Sequence, residues 1–126
     1  MAQRVLVIDD EVSVLFAYQR LFSSQGYQLD ACQTSEEASQ LIKLQNPYDA
    51  VIADLRLSGH DDQDGLSLLH QAHDRSPATA TFLITGHGSP ETRQEVNTIG
   101  GIYLEKPVDP INVIAMLRYR IKPVIS

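Results

Sequence analysis

The sequence predicts one α/β domain built on a five-stranded parallel sheet, and three observations carry that reading. Five short apolar, β-branched-rich runs alternate with five stretches of helical periodicity. The runs are continuously apolar, as expected of strands buried on both faces beneath covering helices. Several of them stop abruptly on an acid, a hydroxyl or a lysine.

The first run, Val5-Leu6-Val7-Ile8, ends in Asp9-Asp10-Glu11. Over 12–25, Val12, Leu15, Phe16, Tyr18, Leu21 and Phe22 recur at helical spacing, and Gly26 is a natural C-terminal stop. A short second strand is expected over 28–32. Thr34-Ser35-Glu36-Glu37 reads as a capping box opening a helix through Ala38, Leu41, Ile42 and Leu44, which Asn46-Pro47 ends. Ala50-Val51-Ile52-Ala53 is a third strand, stopping at Asp54. A polar loop over 58–65 leads to a helix around Leu66, Leu68 and Leu69. Thr81-Phe82-Leu83-Ile84 is the fourth strand, ending at Thr85-Gly86. Residues 90–98 form a short, weakly apolar helix with Pro90 in its first turn. Ile102-Tyr103-Leu104 is the fifth strand, followed by Glu105-Lys106-Pro107. Asp109-Pro110 opens a last helix with Ile111, Ile114, Leu117 and Ile121 as its apolar positions.

Composition narrows the classes of function. A chain of 126 residues, 43% of them hydrophobic, has the size and apolar content of one domain with a real core. No repeat, linker or low-complexity segment divides residues 1–126. A formal net charge of −6 argues against a nucleic-acid surface, which needs clustered Lys and Arg. No window approaches a membrane span of ~18 apolar residues. The N-terminus does not read as a signal peptide. The single cysteine, Cys32, excludes an internal disulfide and fits a reducing cytoplasm as a small core-edge residue.

In open α/β sheets, ligands bind outside the carboxyl ends of the strands. Here the residues just past strands one, three, four and five are Asp9-Asp10, Asp54, Thr85 and Lys106. Two like charges about 4 Å apart repel by on the order of 4 kcal/mol at an effective dielectric near 20. Three carboxylates on one rim therefore call for a cation, and Mg²⁺ suits them because it takes carboxylate oxygens and keeps waters for a phosphate. A carboxylate beside Mg²⁺ and Lys106 is a nucleophile towards phosphorus, giving an aspartyl phosphate. Thr85 supplies a hydroxyl for a phosphoryl oxygen.

With VLVIDDE (5–11), DAVIADLRL (49–57), FLITGHG (82–88) and YLEKP (103–107) in this order, the chain resembles the receiver domains of two-component response regulators over essentially its whole length. The resemblance implies a flavodoxin-like fold of five βα units with strand order 2-1-3-4-5. It implies Asp54 as phospho-acceptor, Asp9 and Asp10 as the acidic pair around Mg²⁺, and the backbone carbonyl of Arg56 as a further ligand. Thr85 and Lys106 would contact the phosphoryl group, and Tyr103 would be the aromatic that turns inward when the threonine moves. The Lys106–Pro107 bond is usually cis in the family, against ~5–6% of X–Pro bonds generally. A sensor histidine kinase would be the donor, and a downstream protein would bind the last two helices and fifth strand. Such a domain catalyses only its own phosphorylation and dephosphorylation.

Two departures from the family pattern stand out. Ser58 replaces a usual proline, and the Gly-Leu pair falls only at Gly65-Leu66, so the loop is longer by about three residues, the kind of insertion that surface loops accept. Its Asp61, Asp62, Asp64 and His60 read as a solvated acidic loop open to partner recognition rather than a calcium site, which would need a glutamate at the required distance. The stretch from Thr85 to Lys106 is slightly short, with Gly100-Gly101 running straight into Ile102. His70 and His73, three apart on a helix without a third ligand, are expected to be exposed. His87 borders the site, either tuning water access or facing solvent.

A haloacid-dehalogenase-like phosphatase would need an acid where Arg56 stands. A flavin-binding module would need a phosphate-cradling loop that no strand end carries. The initial Met and short KPVIS tail favour a free-standing, chemotaxis-regulator-like receiver. A receiver of a hybrid histidine kinase, a phosphate relay or sink, and a phosphorylation-independent scaffold remain alternatives.

Overall fold

Side chains along β1 (Arg4–Ile8) alternate between two separate cores: Val5 and Val7 face one, Leu6 and Ile8 the other. This is the period of two that a pleated strand imposes, and all four are essentially inaccessible to water. The computed structural model describes residues 2–44, 46–55, 57, 64–86 and 88–120.

The chain runs β1, α1 (Val12–Ser24), β2 (Gln28–Cys32), α2 (Ser35–Leu44), β3 (Ala50–Asp54), α3 (Asp64–Arg75), β4 (Ala80–Thr85), α4 (Pro90–Thr98), β5 (Ile102–Glu105) and α5 (Pro110–Arg120). The strands form one sheet in the order β2-β1-β3-β4-β5, and every pairing is parallel. The fold is thus the flavodoxin-like doubly wound sheet that the sequence predicts.

Helices α1 and α5 cover one face: Leu15, Tyr18 and Phe22 meet Val113, Ile114 and Leu117 over Val7, Ile52 and Phe82. Helices α2, α3 and α4 cover the other, with Ile42, Leu66, Leu69 and Val96 against Leu6, Val51 and Leu83. Cys32 belongs to this second core. Local signals set the helix starts. The Thr34 hydroxyl accepts from the Glu37 N–H at 3.2 Å, and Ser89 caps α4 by accepting from Thr92, with Pro90 in the first turn.

Some apolar residues do not go where helical spacing sends them. Val12, Phe16, Leu44 and Ile111 are exposed, so α1 presents a narrower stripe than its composition suggests. A helix resting on a twisted sheet buries only the residues directly over it, here Leu15, Tyr18 and Phe22. The shortened stretch before β5 closes through Gly100, at φ +71°, and Gly101, where a Cβ would press on Thr81 and Val96. Residues 58–63, Arg56, His87 and Ile121 lie outside the described residues.

Candidate functional site

Parallel register brings the four strand ends onto one rim. Ile8 pairs with Ala53, so Asp9 follows β1 where Asp54 ends β3. Asp54 pairs with Ile84, and Thr85 with Glu105, which sets Lys106 one residue past the edge. The Lys106 N–H donates to the Thr85 carbonyl at 2.9 Å, and the Lys106–Pro107 peptide is cis.

The Lys106 ammonium reaches back across the rim to donate to Asp54 Oδ2 at 2.9 Å and Asp9 Oδ2 at 3.5 Å. The other oxygen of Asp9 accepts from the Glu11 N–H at 2.9 Å. Asp10 is exposed beside them, and one carboxylate oxygen from each of Asp9, Asp10 and Asp54 can be chosen so that all lie within 4.8 Å of one another. The three aspartates and the lysine singled out from the sequence therefore do converge. Thr85 is buried at the end of β4. Tyr103 is half-buried on β5, packed against the α3–α4 side core.

The electrostatics are those of charges held partly out of water. Burial raises the Asp9 carboxyl above its ordinary value, outweighing the Glu11 N–H and the Lys106 ammonium that pull it down. Burial also pulls on Lys106 in the downward direction. Its hydrogen bond to Asp54, then the charges of Asp54 and Asp9, more than reverse this, so its pKa is raised. One ammonium thus faces a carboxylate-rich rim. Three carboxylates with converging oxygens match the hard, oxygen-seeking chemistry of Mg²⁺ or Ca²⁺. Beside Asp54 opens a cavity of about 420 Å³ whose walls include Val14, Tyr18, Ile52, Ile84 and Val108, with Asp9 and Lys106 at its polar side.

Glycines complete the site in a way that residue type alone did not reveal. A Cβ on Gly65 would lie 1.8 Å from the Asp54 carbonyl oxygen, and the Gly65 N–H donates to the Leu55 carbonyl at 3.0 Å. The start of α3 is therefore seated directly on the backbone that carries Asp54. A Cβ on Gly88 would fall 1.5 Å from the Tyr103 hydroxyl. A glycine at each end of the loops flanking Asp54 and Thr85 was the available signal. The histidines differ from expectation: His70 pairs with Glu95 of α4 at 3.5 Å, and His73 is only half-exposed, with a buried Nδ1 that has no partner among the described residues. Each directly follows a buried residue of α3, His70 after Leu69 and His73 after Ala72, and so borders the buried stripe.

Comparison with known proteins agrees with this geometry. The chain is 32% identical over 114 residues to the phosphoglycerate transport system transcriptional regulatory protein PgtA of Salmonella typhimurium, covering 90% of this chain and 26% of that one. It spans about a quarter of the length of the curated relatives it matches. Its fold superposes with a TM-score of 0.85, at 24% identity, on a CheY-like receiver domain protein from Methanospirillum hungatei, covering 95% of this chain and 94% of the other. A response regulator from Burkholderia pseudomallei, solved with a phosphorylated aspartic acid, a calcium ion and citrate, matches with a TM-score of 0.79 and 27% identity over 91% of this chain and 66% of its own. The response regulator receiver domain family itself matches residues 5–118, and the chain belongs to that family.

Proposed function

We propose that this receiver domain accepts a phosphoryl group on Asp54 from a histidine kinase and thereby alters a protein-binding surface. The observation that carries the reading is the convergence of Asp9, Asp10 and Asp54 with the Lys106 ammonium 2.9 Å from Asp54. Asp9, Asp10 and Asp54 would hold Mg²⁺. The backbone carbonyl of Arg56, expected to join them, lies outside the described residues. When bound, the ion neutralises charge on the transferring phosphoryl oxygens.

The remaining roles belong to the chain's own side chains. A carboxylate oxygen of Asp54 attacks phosphorus, and the bond from phosphorus to the donor breaks with its electron pair leaving on the donor. Lys106, already oriented by Asp9 and Asp54, supplies positive charge to the phosphoryl oxygens. The Thr85 hydroxyl donates to one of them, and its displacement is passed to Tyr103 along the adjacent strand. In this reading the chemistry is confined to the domain's own phosphorylation and dephosphorylation.

The output is proposed to be protein–protein, through α4, β5 and α5. Several matched relatives are named transcriptional regulators and are about four times longer, so any DNA contact would belong to segments that this chain does not match. Residues 1–126 are read as one receiver domain. Among the described residues no helix is long and apolar enough to cross a membrane. Incubation with a small phosphodonor and Mg²⁺ followed by intact mass tests the central claim. One phosphoryl adduct is expected, absent in Asp54→Asn and without divalent ion; no adduct on the wild type refutes it.

A further inference from the structure

Helix α4 is lightly anchored, since only Thr92 and Val96 of its nine residues are buried. Arg93 adds a link from this helix to β5. The guanidinium carbon lies 4.7 Å from the centre of the Tyr103 ring, and Nη2 lies 3.4 Å from the Glu105 carboxylate. Both contacts are possible at once because Tyr103 and Glu105 are two apart on β5 and so project to the same face. Thr85 pairs with Glu105 on the neighbouring strand. The Tyr103 hydroxyl rests where Gly88 leaves room that any Cβ would fill. The half-buried ring thus has Gly88 at its hydroxyl end and over it the Arg93 cation, which also pairs with Glu105.

We infer that Arg93 is a positioning residue, a latch that holds Tyr103 in its slot while Asp54 carries no phosphoryl group, so that its strength sets how readily phosphorylation moves α4. This rests on the phosphoryl-acceptor reading above. A contact made in one state alone favours that state, and its removal raises the apparent affinity for whatever selects the other. Arginine suits the role because its flat, permanently charged fork both stacks on an aromatic face and pairs with a carboxylate. Both contacts are exposed, so the effect is modest, roughly three- to tenfold in an equilibrium constant.

The test uses the whole chain with ring-¹³C tyrosine, the Tyr103 signal being identified in Tyr103→Phe. Wild type, Arg93→Ala, Arg93→Lys and Glu105→Gln are titrated with Mg²⁺ and beryllofluoride as the phosphoryl mimic. Arg93→Ala is expected to shift the Tyr103 ring signal and to bind the mimic roughly three- to tenfold more tightly, with Arg93→Lys and Glu105→Gln falling between it and wild type. A Tyr103 signal indifferent to Arg93→Ala overturns the latch, whether or not the mimic binds. A shifted ring with unchanged or weaker binding overturns the coupling. If the wild type fails to take the mimic, the phosphoryl-acceptor reading falls and takes the coupling with it, while the ring signal still decides whether Arg93 holds Tyr103.

Discussion

Replacing Gly65 by alanine places a methyl group against the backbone of the proposed phospho-acceptor. The added Cβ would lie 1.8 Å from the Asp54 carbonyl oxygen, 2.6 Å from its carbonyl carbon and 2.9 Å from the Leu55 Cα. Ordinary carbon–oxygen contacts lie above about 3.3 Å, so α3 or the end of β3 must give way by about 1.5 Å. None of the three atoms belongs to a flexible side chain. The cost is therefore at the upper end for overpacking, about 3 kcal/mol. For a domain of this size that lowers the melting midpoint by about 10 °C. Gly86 supplies the control: among the described residues a Cβ there approaches only the Lys106 Cβ, at 4.0 Å, and Gly86→Ala is expected to be within about 0.5 kcal/mol of wild type. Urea denaturation of both variants measures the difference, and phosphorylation of the folded Gly65→Ala protein reads any displacement of Asp54. Equal stability of the two variants would refute the claim that α3 is seated on the acceptor's backbone.

Three further outcomes are expected. Phe22→Ala should cost about 4 kcal/mol by denaturation, against less than about 0.5 for Phe16→Ala on the same helix, because Phe22 is fully buried and Phe16 is 60% exposed; similar costs would contradict the assigned face of α1. Lys106→Ala leaves Asp9 and Asp54 close together without their ammonium, and because that lysine is itself partly solvated the loss should be about 2 kcal/mol, less than for a fully buried pair. The loss should shrink when millimolar Mg²⁺ is added to the urea titration, and a Mg²⁺-independent loss would count against a cation site formed by these carboxylates. Cys32 is buried, and desolvation, with Glu37 and Asp30 nearby, pushes its thiol up to about 12. At pH 8 an aromatic disulfide reagent should leave the folded protein unmodified and react once urea unfolds it; rapid labelling of the native protein would place the thiol wrongly.

The alternation of strands and helices, the stops at Gly26 and Asn46-Pro47, and the polar residues past four strand ends were all legible locally. Apolar runs and helical periodicity are properties of consecutive residues and need no distant partner. Parallel strands then bring Asp9, Asp54, Thr85 and Lys106 to one rim without further information. The strand order was a different matter: it came from family resemblance, since neither spacing nor composition says on which side of β1 the next strand will pair.

What only the tertiary structure decided are contacts between segments far apart in sequence. Helical spacing made Phe16 and Tyr18 equal candidates for the core of α1, and the sheet beneath selected Tyr18. The late Gly-Leu pair read as a departure from the family pattern, yet Gly65 meets the Asp54 backbone where no side chain fits. Nothing local marked Arg93, an exposed arginine on a polar helix, as the neighbour of Tyr103 and Glu105. The acidic and basic residues of the site announced themselves because their chemistry is carried in their own side chains. The close approaches and the Arg93 contacts did not, because each is a property of two surfaces that meet only after the chain has folded.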